Sequence, residues 1–150
     1  NNKLDSEDHA SIFKSTLILK QVVEKLDLNY RFQKKHTWKS NEVLTKESLP
    51  FEIVFKDETS QKHCIIKYQK ENVIIEINDN TFSFSKKESI IENSIFKYKT
   101  KILNNIIQGT YIIDQFTINE TVNELKTRYG LINRKNQMFM EYLILVLTRK

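Results

Sequence analysis

Pro50-Phe51-Glu-Ile-Val-Phe55, then His63-Cys-Ile-Ile-Lys-Tyr-Gln69, Asn72-Val-Ile-Ile-Glu-Ile77 and Thr81-Phe-Ser-Phe-Ser85, is the stretch that decides the fold. Each run is short, rich in β-branched and aromatic residues, and bounded by polar turn residues, as half-buried strands are. Pro50 disfavours helix at the residue before it and suits the start of a strand. Only Lys70-Glu71 and Asn78-Asp79-Asn80 separate the later runs, so the spacing predicts a meander. With two glycines and one proline in the chain there is no Asn-Gly or Asp-Gly pair for a tight hairpin. The turns fall to Asn, Asp, Ser and Lys.

Upstream, residues 5–28 read as a helix. Ile12, Leu19, Val22, Val23 and Leu26 recur on one face, with Phe13 and Leu17 widening the stripe. Asp5, Ser6, Glu7 and Asp8 crowd its start, where side-chain oxygens cap free amides and negative charge suits the dipole. Its end is expected at Asp27-Leu28-Asn29. Residues 30–49 read as polar and irregular, anchored by Tyr30, Phe32 and Trp38. Downstream, 86–93 reads as a polar connection with room for one helical turn, and 94–99 alternates weakly like a strand. Residues 102–107 fit neither period. Thr110 to Ile118 reads as a strand bent near Asp114, 119–126 as polar, and Arg128 to Ile132 as a short strand. Asn133 is placed to cap a helix over 134–142, and 143–147 is a strongly apolar final strand; one long strand from Gln137 to Thr148 is the alternative. The order predicts an α+β fold: an N-terminal helix, a mainly antiparallel sheet, and a short C-terminal helix and strand, in one domain over 1–150.

A chain of 150 residues with 39% hydrophobic side chains has enough apolar surface for a core without a staple. The net charge is +5, and the basic residues are spread out rather than massed; Lys34-Lys35, Lys86-Lys87 and Arg149-Lys150 are no more than pairs. No groove-reading motif accompanies the charge, so nucleic acid is not an expected partner. Scarce glycine excludes Gly-rich phosphate cradles, which need positions without Cβ. Cys64 is the only cysteine, so no intrachain disulfide forms; its strand-like setting reads as a small buried hydrophobe. Neither a secretory leader nor an apolar stretch of membrane-spanning length is visible. The sequence starts at Asn1 without Met and is expected to be a segment of a longer protein.

The search for reacting groups finds isolated residues. His9, His36 and His63 fall in a helix start, a loop and a strand, without metal-ligand spacing. Glu52 and Lys56 share one strand face, and Glu76 and Asp79 follow another strand. Carboxylates and a lysine on adjacent strands are what a Mg²⁺-dependent nuclease would use, and a solvated edge would look the same. Lys86, Lys87 and Glu88 read as a solvated face. No GxSxG elbow, CxxC pair or Walker motif is present. The expectation is a non-catalytic segment with no cofactor, cofactor-binding or metal site.

Ile12-Phe-Lys-Ser15, then Leu19-Lys-Gln-Val-Val-Glu-Lys-Leu-Asp-Leu-Asn29 and Tyr30, resemble a motif of the Wzz-type polysaccharide chain-length determinant domain, as in Bacteroidetes capsular-polysaccharide tyrosine autokinases. In that family a helix with a Leu-Lys-Ser element and a Val-Val…Leu-x-Leu-Asn run precedes a Tyr or Phe. Asn41 to Phe55, with Ser48-Leu49-Pro50-Phe51 at its centre, is similar to the block that follows there. Gln108-Gly109-Thr110-Tyr111 and Phe116-Thr-Ile118 resemble a later element. The chain departs from the family pattern at Lys34-Lys35, where Gly is frequent, and at Leu44, where Tyr is usual.

The resemblance implies a domain on the periplasmic side of the inner membrane, held between two transmembrane helices that this sequence lacks. It implies homo-oligomers formed through the parent protein, and a role in setting the length or export of a capsular or exopolysaccharide. The implied partners are the polysaccharide or its lipid-linked precursor, and the polymerase. In the autokinase branch a cytoplasmic tyrosine kinase follows the second membrane helix. Tyr30, Trp38 and Tyr111 are candidates to stack on sugars, with a core position the alternative for each. Scattered Lys and Arg suit anionic headgroups or acidic glycans. Two other readings stay open: a minor pilin-like assembly subunit, and a nucleic-acid-binding or nuclease domain built on Glu52 and Lys56.

Overall fold

The structure, a computed structural model, describes residues 15–101 and 107–129. The described residues fall into two units, 15–29 with 117–129, and Tyr30–Phe116. The α+β class and the antiparallel pairing are as expected, with the strands divided between a six-stranded and a three-stranded sheet.

In the first unit, α1 covers 15–26 within the described residues and α2 covers Ile118–Tyr129. Ile18, Leu19, Val22 and Val23 of α1 are buried with Val122 of α2, and Ile118 and Leu125 pack against them. Leu17 and Leu26, expected in the buried stripe, are instead exposed, and Ile18 fills the stripe. The helix stops where expected. Asp27 takes a left-handed φ of 51° and the Leu28 amide reaches back to the Val23 carbonyl at 3.1 Å, which ties up a terminal carbonyl. Asp tolerates this conformation better than most residues because its short polar side chain bonds locally.

The start of α2 overturns two expectations. The strand read to Ile118 ends at Gln115, and Arg128, expected in a strand, lies in the last turn of α2. Thr117 and Glu120 form a reciprocal cap: the Thr117 amide donates to Glu120 Oε2 at 3.2 Å, and the Glu120 amide donates to Thr117 Oγ1 at 3.1 Å. Two otherwise orphaned amides are satisfied at once, which fixes the helix start. Arg128 then pairs with Glu124 one turn back at 2.8 Å.

The second unit holds β1 (Tyr30–Lys35), β2 (Glu42–Leu44), β3 (Phe51–Phe55), β4 (Lys62–Tyr68), β5 (Asn72–Ile77), β6 (Asn80–Ser85), β7 (Ile90–Glu92), β8 (Phe96–Thr100) and β9 (Gly109–Gln115). The large sheet runs β2-β1-β9-β4-β5-β6 and the small one β3-β8-β7. The expected β4-β5-β6 meander is present, and its second turn places Asn78 at φ 53°. Two expectations fail here. Residues 30–49 are not irregular but supply β1 and β2, and the connection over 86–93 contains β7. β1 is polar because only one of its faces meets the core; Phe32 is buried while Arg31 and Lys35 face water. The Lys34 stem lies along the Tyr111 ring, with Nζ 5.8 Å from its centroid. A Cβ at Gly109 would stand 3.0 Å from Lys34 Cε, so the glycine leaves room for that stem.

The core forms where the two sheets face each other. Phe51 of β3 meets Tyr68, Tyr98 and Tyr111 at centroid distances of 5.9, 5.7 and 5.4 Å. Phe82 stands edge-on to Phe96 at 5.1 Å, and Phe84 to Tyr98 at 4.9 Å. Cys64, Ile66, Val73, Ile75, Ile77 and Ile113 fill the space between. Edge-to-face rings add about 0.5–1.5 kcal/mol per pair beyond their buried area. The early part of the N-terminal helix, the helix over 134–142 and the strand over 143–147 lie outside the described residues.

Candidate functional site

Strand alternation decides which polar side chains leave the core. In the large sheet, Arg31 of β1 sits opposite Asp114 of β9, which sits opposite His63 of β4. His63 Nδ1 lies 2.6 Å from Asp114 Oδ1, with the two side chains 61% and 23% exposed. This contact with the carboxylate fixes the orientation of the imidazole ring. Arg31 holds its guanidinium 5.2 Å from the Phe116 ring. Cys64 points to the opposite face of β4 and is fully buried, and burial pushes its thiol up to about 12. It supplies no thiolate to this pair. Its reading as a small buried hydrophobe is correct. No local pattern signals the His63–Asp114 pair, because 51 residues separate its members.

The acidic residues singled out from sequence do not converge. Glu52 faces outward from the small sheet opposite Lys99, and Lys56 pairs with Glu92 at 3.1 Å. Glu76 faces outward from the large sheet and pairs with Lys67 at 3.0 Å. Glu52 and Glu76 therefore stand on opposite outer faces of the sandwich, and Asp79 occupies an exposed turn. Among the described residues no three His, Cys, Asp or Glu are grouped to hold a metal ion. His9 lies outside the described residues.

Among the described residues two lysines, Lys62 and Lys86, are buried. Lys86, read as part of a solvated face, instead lies 4.0 Å from the Tyr68 ring centroid and donates to the Ile107 carbonyl at 3.1 Å. Desolvation lowers its pKa. Lys62 caps the loop after β3, bonding to the Asp57 carbonyl and to Ser60. Hydrogen bonds from the Thr59 hydroxyl and amide, then from Ser60, hold the Asp57 carboxyl down at about 2.

The aromatic candidates separate sharply. Tyr111 is buried and Tyr30 stacks on Phe32 and Phe55 at 5.8 and 6.3 Å, so both belong to the core. Trp38, expected as an apolar anchor, is 79% exposed in the loop between β1 and β2. Lys39 Nζ stands 5.0 Å from its ring centroid and the His36 ring 6.1 Å away. Val43 of β2 is 75% exposed. This hairpin, rather than a cleft lined by carboxylates, is the described surface with the clearest binding character.

In comparison with known proteins, no family model matches the chain, and no curated protein is significantly similar to it.

Proposed function

We propose that the chain is a non-catalytic, extracytoplasmic domain of a polysaccharide co-polymerase or capsule-family tyrosine kinase, acting in chain-length control or export through self-association. The observation that carries this reading is where the Wzz-like residues fall. Leu19, Val22 and Val23 of the Leu19–Asn29 run sit on the buried face of α1, the left-handed stop falls at Asp27, and Tyr30 opens β1 immediately after the run. Pro50-Phe51 opens β3, whose Phe51 is the centre of the aromatic core. Gly109-Thr110-Tyr111 opens β9, the strand that joins β1 to β4. Tyr30, Phe51 and Gly109-Thr110-Tyr111, which belong to the resemblance, thus stand at strand starts.

No helix among the described residues is long and apolar enough to cross a membrane, so the anchors this reading requires lie outside them. In this proposal the domain supplies rigid packed surfaces, and its parent brings many copies together against the nascent polymer. The test is the length distribution of the surface polysaccharide when the gene is disrupted in the source organism. A lost modal length or lost export is the expected result; an unchanged distribution overturns the reading.

A further inference from the structure

We propose that the β1–β2 hairpin is an interfacial anchor that seats Trp38 in the headgroup layer of an anionic phospholipid membrane. Trp38 is the only tryptophan in the chain and the most exposed large apolar side chain among the described residues. Folded chains ordinarily cover most of an indole. An uncovered one beside cations has the composition of a membrane-interface side chain: its apolar body favours the acyl boundary, and its N–H stays in the hydrated layer. Val43 adds a second exposed apolar group on the same hairpin.

Charge selects the lipid. Lys34, Lys35, Lys39 and Lys46 stand on the hairpin and the turn after it, with Glu42 and Glu47 the acidic residues of the same segment; Arg31, at the start of β1, sits opposite Asp114 of β9. No acidic residue lies between Lys34 and Asn41, where the loop turns. Lys39 stands over the Trp38 ring, so its charge arrives at the surface together with the indole. An exposed loop with an uncovered ring and neighbouring cations fits a flat anionic surface better than a single glycan chain, which is gripped in a recess between several polar side chains. This inference rests on the hairpin and stands apart from the polysaccharide reading; either can fail without the other.

The lone tryptophan makes the test direct. The 150-residue chain is mixed with vesicles of phosphatidylcholine alone, or of phosphatidylcholine with phosphatidylglycerol, and both indole emission and co-sedimentation are read. The expected result is a shift to shorter wavelength and sedimentation only with the anionic vesicles, both fading as salt is raised. Lys35→Ala and Lys39→Ala should each weaken binding about fivefold. Trp38→Ala should reduce sedimentation while leaving the circular dichroism spectrum unchanged. No shift with anionic vesicles, equal binding to phosphatidylcholine alone, or insensitivity to both lysine substitutions overturns the proposal. So does a shift produced by an acidic polysaccharide but not by vesicles, which would make the partner a glycan. Should a variant unfold, the contrast between the two lipids with the unaltered chain still decides.

Discussion

Gln115 is 1% exposed, and among the described residues neither its Nε2 nor its Oε1 has a hydrogen-bond partner. It lies on β9 between Tyr30 and Lys62, facing the core. A buried amide left without partners costs about 1–3 kcal/mol. Gln115→Met, close in volume and without that cost, should raise the unfolding free energy by about 1–2 kcal/mol in a urea titration. A lower midpoint would mean that the amide holds a bond, such as one to a buried water. Single residues were legible in the sequence where alternation alone decides their side. Cys64 is buried because Ile66 and Tyr68, two and four residues on, face the same way. At Lys86 and Trp38 residue type misleads, because place in the fold decides their exposure. The lysine is buried by a ring and a carbonyl brought from elsewhere in the chain, and the tryptophan is left exposed by a loop of polar neighbours.

Elements were legible in proportion to how much of their surface is apolar. β3 alternates Phe51, Ile53 and Phe55 inward with Glu52 and Val54 outward, so its sequence predicts it. Phe51→Ala should therefore cost about 3–5 kcal/mol in a denaturant titration, whereas Val54→Ala on the exposed face should stay within about 0.5 kcal/mol. Equal effects would contradict the assigned faces. β1 escaped notice because long-range pairing to β9, and not its own composition, makes it a strand. α2 escaped although a signal was present: Thr117-Ile-Asn-Glu120 has the spacing of a reciprocal cap just before Val122 and Leu125. The apolar run through Ile118 favoured the strand reading, and the cap overrides it.

At the scale of the whole molecule, burial keeps protons on the core. It raises the Cys64 thiol to about 12 and raises the phenols of Tyr98, Tyr68 and Tyr111. A group that binds its proton more tightly when folded stabilises fully below its unfolded pKa, about 8.5 for a thiol and 10 for a phenol, and loses that contribution as pH rises beyond it. Lys86 acts oppositely, since its lowered pKa makes the unfolded chain the tighter proton binder. Asp57, held down at about 2, stabilises above the ordinary carboxylate range and loses that contribution as pH falls towards 2. With one lysine against four acidic groups in the alkaline range, the urea midpoint should fall as pH rises above about 9. The single thiol should resist a disulfide reagent until the chain unfolds. A midpoint that climbs above that pH would contradict the assignment of these four groups to the core.

The fold class and the β4-β5-β6 meander could be read from the sequence because they depend on local periodicity. The division into two sheets and the His63–Asp114 pair could not, because they depend on which strands become neighbours. The central claim, that the domain acts by assembly in polysaccharide export, is tested most directly by removing Tyr30–Phe116 in frame from the parent gene. Immunoblotting of membranes first establishes that the shortened parent is still made and inserted. The length distribution of the surface polysaccharide is then compared with that of the intact strain. The account predicts that the modal chain length disappears or export stops, and that the intact gene restores it. An unchanged distribution, with the shortened parent present in the membrane, would contradict it.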